Sequence, residues 1–226
     1  MQRKCTGCPS TVNSHYLSLG GNFGLSRQKT AGAKLNEAAV KGERTIIQQL
    51  HTSQNIKENL LLHNIPEMDK SKTSSCSNIR AGQENGCRSR SQIFDKTVVF
   101  EMFCARHDTP ITMVDMYHGV KYAYPHFLLQ KHMESCGSPN KSLHIYYDIA
   151  CKYKTNLENR FSTGETSRAA LQQISEKTFA VPKMHAYCHN DGNLRHFHAT
   201  RVEEAGLTCG EASECNWSYL GNNHVT

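Results

Sequence analysis

One stretch constrains the fold more than any other, Leu143 to Phe161. Leu143-His-Ile-Tyr-Tyr147 is short, β-branched and aromatic, which predicts a strand. Directly after it, Ile149, Tyr153, Leu157 and Phe161 recur four apart, the spacing of one helix face. Asp148 sits at the join. A carboxylate at the C-terminal end of a strand can reach the crevice where α/β folds bind ligands. The same residue could instead cap the first helical turn by accepting an amide hydrogen bond. The local pattern leaves both roles open.

A second segment favours the ligand role. In Gly210-Glu211-Ala-Ser-Glu214-Cys-Asn-Trp217, two carboxylates and the chain's only tryptophan stand at i, i+3 and i+6, near one helix face. Nucleases and polynucleotidyl transferases hold divalent metal with an acid at a strand end and an acid on a later helix. Two ions roughly 3.5–4 Å apart then clamp the attacking and leaving oxygens of a phosphoryl transfer.

Composition matters through its soft ligands. The 226 residues hold ten cysteines and thirteen histidines, with a formal charge of +6. That charge tolerates a polyanionic partner without requiring one. The start, Met1-Gln-Arg-Lys-Cys5, opens no apolar run, and no segment has about eighteen consecutive apolar residues, so neither a leader nor a membrane span is expected. Outside a secretory context, cysteines at Cys-x-x-Cys spacing read first as metal ligands. Cys5 and Cys8 form one such half-site, and Cys104 with His107 has the matching spacing to complete a Cys3His zinc set. Scattered buried thiols are the plainer alternative. A looser second set is His185, Cys188 and His189, where a satisfied histidine pair at a strand end is the plainer alternative.

Along the chain, Tyr16 to Arg27 alternates like a strand, with Gly20-Gly21 predicting a bulge or turn between two strands. Thr45 to Leu62 carries an amphipathic apolar stripe, and His63 to Gln92 is polar and predicted to be loop or disordered. Strands are expected at 97–100 and 111–114, and a helix from Pro125 to about Gly137. A loop with a short helix is expected over 164–177, a strand from Phe179 broken early by Pro182, and a last helix over 211–220. This divides the chain into a zinc-knuckle-like start with the first strands (1–30), a helical and disordered insertion (31–96) and the rest of the core (97–226). The order strand, strand, strand, helix, strand, helix, strand, helix is compatible with a ribonuclease-H-like mixed α/β sheet. Lys152, Lys154, Arg160 and Arg168 follow the core strand and could track DNA phosphates, or form a solvated helix face.

These residues carry a resemblance. Cys5-x-x-Cys8-Pro9, Gly21-Asn22-Phe23-x-Leu25-x-Arg27 and Cys104 to His107 are similar to the front of the Kyakuja-Dileera-Zisupton transposases. So are His118-Gly119, Tyr124-Pro125-x-Phe127-x-Leu129-Gln130 and Tyr147-Asp148-Ile149-Ala150-Cys151. Val181-Pro182-x-x-His185-x-Tyr187-x-His189 and Gly210-Glu211-x-x-Glu214-x-x-Trp217-Ser218-Tyr219-Leu220 complete it, over residues 4–30 and 97–222. The resemblance implies a DDE-type DNA transposase on a ribonuclease-H-like fold, nuclear, neither secreted nor membrane-bound, acting on DNA and able to form an oligomer. It implies Asp148, Glu211 and Glu214 as catalytic ligands of Mg2+ or Mn2+.

The chain departs from the family pattern at several positions. The first-strand acid is Gly20 here, the acid of Asp-Gly-Glu is Cys209, that of His-Gly-Glu is Val120, and the Arg after Glu214 is Cys215. The chain also stops where family members continue, so the core is expected to be truncated. Two divalent ions bring +4 into one site, and losing the bridging acid leaves that charge poorly offset. Impaired catalysis is therefore expected. Its alternative is a DNA-binding or zinc-stabilised module without chemistry. An Asp at position 20 is expected to strengthen Mg2+ binding.

Overall fold

The computed structural model describes residues 5–8, 13–22, 27–28, 94–96, 98–116, 122–136, 141–155, 157 and 174–221. The predicted helix within 45–62, the polar loop of 63–92, and Val120, Phe161, Arg160 and Arg168 lie outside them.

Five strands form one mixed sheet: β1 (Ser14–Asn22), β4 (Val98–Cys104), β5 (Thr109–Met116), β6 (Lys141–Tyr147) and β7 (Ile174–Ala180). Two short strands, β2 (Arg27–Gln28) and β3 (Phe94–Lys96), pair separately. The sheet order is β5-β4-β1-β6-β7. The β5-β4-β1 part is antiparallel, and β6 and β7 continue parallel to β1. Among the described residues the helices are α1 (Ala123–Cys136), α2 (Ala150–Thr155), α3 (Asp191–Phe197) and α4 (Ala212–Gly221), with a 3-10 turn at His185–Cys188. Across the sheet-forming elements the chain order is the expected one.

Alternation along each strand sorts side chains onto two covered faces. Leu17 and Leu19 of β1, Phe100 and Met102 of β4, and Leu143, Ile145 and Tyr147 of β6 pack with Leu128, Leu129 and Met133 of α1 and with Tyr153 of α2. On the opposite face, Tyr16 and Tyr146 pack with Ala180, Ala199 and Ala205, and α4 lies over β1 and β4. Central β6 is buried on both sides, which is why its sequence reads as a nearly continuous apolar run.

Two local expectations change. Gly20-Gly21 does not divide two strands; β1 runs straight through it, and Gly20 and Gly21 pair with Glu101 and Phe100. Residues 174–177, expected in a loop and short helix, are the start of β7. After Asp148 the described residues Ala150–Thr155 and Leu157 are helical, and Ile149, Tyr153 and Leu157 are all buried as their spacing required. Long-range pairing with β6 decides the second case, because Lys141 and Ser142 supply a parallel edge that local propensity does not reveal.

A cysteine–histidine cage and a carboxylate–imidazole cluster

Two turns of the same shape build the first site. Cys8 N–H donates to the Cys5 carbonyl at 3.2 Å, and His107 N–H donates to the Cys104 carbonyl at 3.4 Å. Each closure points its two ligand atoms the same way. Pairing of Cys104 with Leu17 fixes the second turn near the start of β1. His107 Nδ1 lies 3.4 Å from each of the Cys5, Cys8 and Cys104 sulfurs, and the Cys8 and Cys104 sulfurs are 3.6 Å apart. A tetrahedral ion with Zn–S of about 2.3 Å and Zn–N of about 2.0–2.1 Å would set edges of roughly 3.6 and 3.8 Å. The four residues therefore form a Cys3His arrangement of the size zinc requires.

Gly7 makes room for it: a Cβ there would stand 2.9 Å from the His107 ring. Burial raises the Cys8 thiol to about 12, with Cys104 and Cys5 adding to the rise, and burial also raises Cys104. For Cys5 burial is outweighed by hydrogen bonds from the Gly7 amide, Cys104 and Thr109, which bring it to about 7. Three neighbouring thiolates repel one another, and a divalent ion is what lets all three ionise together.

The second site lies over the face that carries α4. Leu19 pairs with Tyr147 and Gly20 with Glu101, so Asp148 follows β6 beside the Gly20 position. Asp148 Oδ1 accepts from the Ile149 N–H at 3.0 Å. The helix-opening carbonyl is that of Ile149, which accepts from Lys152 and Tyr153, so Asp148 precedes the cap position. Its carbonyl oxygen accepts from His189 Nε2 at 2.8 Å, and the Cys151 sulfur lies 3.6 Å from His189 Nδ1. Burial and the neighbouring positive charges hold His189 below the usual imidazole range, as suits a neutral ring that anchors the Asp148 turn.

Glu211 stands just before α4 and Glu214 in its first turn. Gly210 has φ +78, and a Cβ there would collide with the Tyr146 ring; its carbonyl accepts from Ser18 Oγ at 2.7 Å. That close approach seats the start of the helix on the sheet. Glu211 Oε1 accepts the Met184 N–H at 2.6 Å, and Oε2 faces His185 Nδ1 at 3.3 Å. His185 Nε2 faces Glu214 Oε1 at 3.5 Å. Burial raises the pKa of Asp148, opposed by the His185 charge, and burial likewise raises Glu214. The Glu211 carboxylate against its ring raises His185, with burial opposing and the Asp148 and Glu214 charges adding. The three acids named from the sequence thus influence one another through a histidine.

The set His185, Cys188 and His189 is not brought together. His185 joins the carboxylates, His189 holds the Asp148 backbone, and Cys188 is exposed. Among the described residues, only the Cys3His set places three or more ligand atoms mutually within 4.8 Å. Asp148, Glu211 and Glu214 do not form such a set. Lys154 is exposed and its Nζ lies 5.6 Å from the Phe197 ring, and Lys152 is half-buried beside it on α2.

Sequence reasoning missed Glu101. It is an acid inside the apolar run Val98 to Cys104, directly across from Gly20, 1% exposed, and it accepts from Trp217 Nε1 at 2.8 Å. Burial raises it to about 7, against hydrogen bonds from Trp217 and Asn216. The charge amid hydrophobic strand residues was the available signal. Trp217 also fills the space over Gly20: a Cβ at position 20 would stand 2.7 Å from the indole and 2.8 Å from Ser213 Oγ. An Asp there cannot simply be added, because the indole or helix α4 must first move.

A five-stranded mixed α/β sheet carrying a cysteine–histidine cage and an acidic cluster at a strand end defines the class of protein. The chain matches the family model described as Kyakuja-Dileera-Zisupton transposase over residues 13–224, nearly its whole length, and it belongs to that family. No curated protein and no solved structure matches it. No helix among the described residues is long and apolar enough to cross a membrane.

Proposed function

We propose that this chain is a DDE-type DNA transposase core of ribonuclease-H-like fold, in which Asp148, Glu211 and Glu214 bind Mg2+ or Mn2+. The supporting observation is His185 standing between Glu211 and Glu214, with the Asp148 charge acting on the same ring, in a member of a transposase family. The sheet order, with three antiparallel strands followed by two parallel ones, agrees with that fold. Glu211 Oε2 is buried against His185 Nδ1 at 3.3 Å, so a cation held by the carboxylates would compete with that contact. The ion would activate water or a DNA 3′ hydroxyl for in-line attack on a phosphodiester. The protein's own part is to hold the carboxylates: Gly210 and Trp217 seat α4, and His189 holds the Asp148 turn. Lys152, Lys154, Arg160 and Arg168 would meet DNA phosphates, and the protein would work in the nucleus. Zinc in the Cys3His cage would pin residues 5–8 to the β4–β5 turn, and so would stabilise the domain.

Catalysis is impaired on this reading, because Trp217 occupies the space where a first-strand carboxylate would enter. The same observation favours the second reading, a zinc-stabilised DNA-binding module without chemistry. Strand cleavage of labelled DNA with Mg2+ or Mn2+ separates them. Weak cleavage lost in Asp148→Asn supports the enzyme. Salt-sensitive DNA binding with no cleavage in either form supports the module. Robust Mg2+-dependent cleavage lost on Asp148→Asn would show that Gly20 is tolerated.

A further inference from the structure

Among the described residues, the large apolar side chains left exposed are Met184, Tyr187, Leu207 and Tyr219. All four belong to the two segments that carry His185, Glu211 and Glu214. Those segments run side by side: the Lys183 N–H donates to the Cys209 carbonyl at 3.2 Å, and the Met184 N–H to Glu211 Oε1 at 2.6 Å. Exposed apolar groups gathered about one site mark a contact surface. Tyr187 is 91% exposed, yet its turn is held on both sides. His185 faces the two glutamates, and His189 Nε2 donates to the Asp148 carbonyl. A ring carried on a fixed turn loses little freedom when a ligand covers it.

Cations flank this turn along the chain. Lys183 precedes it, and the chain passes from it straight into α3, where Arg195 is exposed. α3 packs on α2, and Lys154 Nζ of α2 lies 5.6 Å from the Phe197 ring of α3. An aromatic ring next to a row of cations is the composition of a single-strand nucleic-acid surface, where bases stack on the ring and cations follow the phosphates. A paired duplex keeps its base faces inside the stack and offers none to such a ring. A basic peptide drawn to the carboxylates would be repelled by the same cations. We propose that Tyr187 is a stacking platform for an unpaired nucleobase, and that the DNA taken here is a single strand or a frayed end whose phosphates follow α2 and α3. This rests on the reading of the chain as a DNA-binding transposase core, and it needs no metal at the carboxylates.

The test uses the full chain with its cysteine cage loaded with zinc, and fluorescence anisotropy of three labelled DNAs: a single strand, its blunt duplex, and a duplex with unpaired ends. At one salt concentration the single strand and the frayed duplex should bind more tightly than the blunt duplex. Tyr187→Ala should weaken their binding roughly 5- to 150-fold, the loss of one base–aromatic stack, and change blunt-duplex binding less than about twofold. Tyr187→Trp keeps a stacking face and should retain the parent affinity. The salt slope should be the same in Tyr187→Ala as in the parent, because no phosphate contact is lost. Equal loss on all three DNAs, or no loss on any, would overturn the platform and leave the DNA-binding reading standing. Parent binding that does not distinguish unpaired from paired DNA would do the same. Absence of binding to all three DNAs by the unaltered chain would overturn both.

Discussion

The cage and the cluster make an instructive pair. The cage takes soft donors from two tight turns, and its four ligand atoms already lie within 4.8 Å of one another. The cluster takes carboxylates from the end of β6 and the start of α4 and an imidazole from the 3-10 turn, and its atoms do not all meet that distance. A closed set of four soft donors suits a metal that holds a fold together. The supports differ in kind as well. Local hydrogen bonds of three-residue reach shape the cage, whereas the cluster depends on bonds from remote elements: Ser18 to Gly210, Trp217 to Glu101, His189 to Asp148. The cage therefore rests on local geometry, and the cluster on tertiary packing.

The largest expected effect lies in the cage. Cys104→Ser should release zinc and cost several kcal/mol of stability, since structural zinc contributes on the order of 10 kcal/mol to small domains. Asp148→Asn should shift stability by less than about 1 kcal/mol, because a neutral amide replaces a carboxylate whose charge burial already opposes. Urea unfolding with and without chelator compares the two. Equal effects would break the division between a stabilising cage and a working cluster.

Glu101 comes next. Its folded-state pKa is about 7 against an ordinary 4.5, raised by burial. Between those values the folded chain keeps a proton that the unfolded chain has lost. Stability is therefore greatest on the acid side and falls, by up to about 3 kcal/mol, as pH rises from 4.5 through 7. Glu101→Gln keeps an acceptor for Trp217 and should flatten this dependence, so that the variant is the more stable protein at about pH 8. Trp217, the only tryptophan, should report the titration by fluorescence in the parent and not in the variant. A flat profile in the parent would remove Glu101 from the account of how α4 is seated.

Gly20→Ala places a methyl against the Trp217 ring and Ser213, and should cost about 1–3 kcal/mol, the usual range for overpacking. Gly20→Asp should cost more and should not tighten Mg2+ binding. Calorimetric Mg2+ titration of a stable, tighter-binding Gly20→Asp protein would show that Trp217 yields. The smallest effect belongs to the lysines of α2. Lys152→Ala or Lys154→Ala should weaken DNA binding less than about tenfold and lower the salt slope by about 0.9 for each phosphate no longer neutralised. An unchanged slope in both would place the DNA path elsewhere.

Much of this molecule was legible in its residue spacing. The pair Cys5-x-x-Cys8 and Cys104-x-x-His107 could be read because each half is local, and three-residue turns follow directly from the sequence. The strand-to-helix passage at Asp148 and the shared face of Glu211, Glu214 and Trp217 could be read for the same reason, since period and propensity act within a few residues. The sheet-forming elements followed in their expected order. Tertiary structure alone decided what crosses the sheet. Register set Glu101 beside Gly20, and packing laid Trp217 over the glycine, turning an apparent loss of an acid into a filled space. Folding of the segment after β7 carried His185 to the glutamates while His189, four residues on, turned to the Asp148 backbone. Such pairings join residues tens of positions apart, and their geometry depends on register, burial and helix seating together, none of which a local pattern encodes.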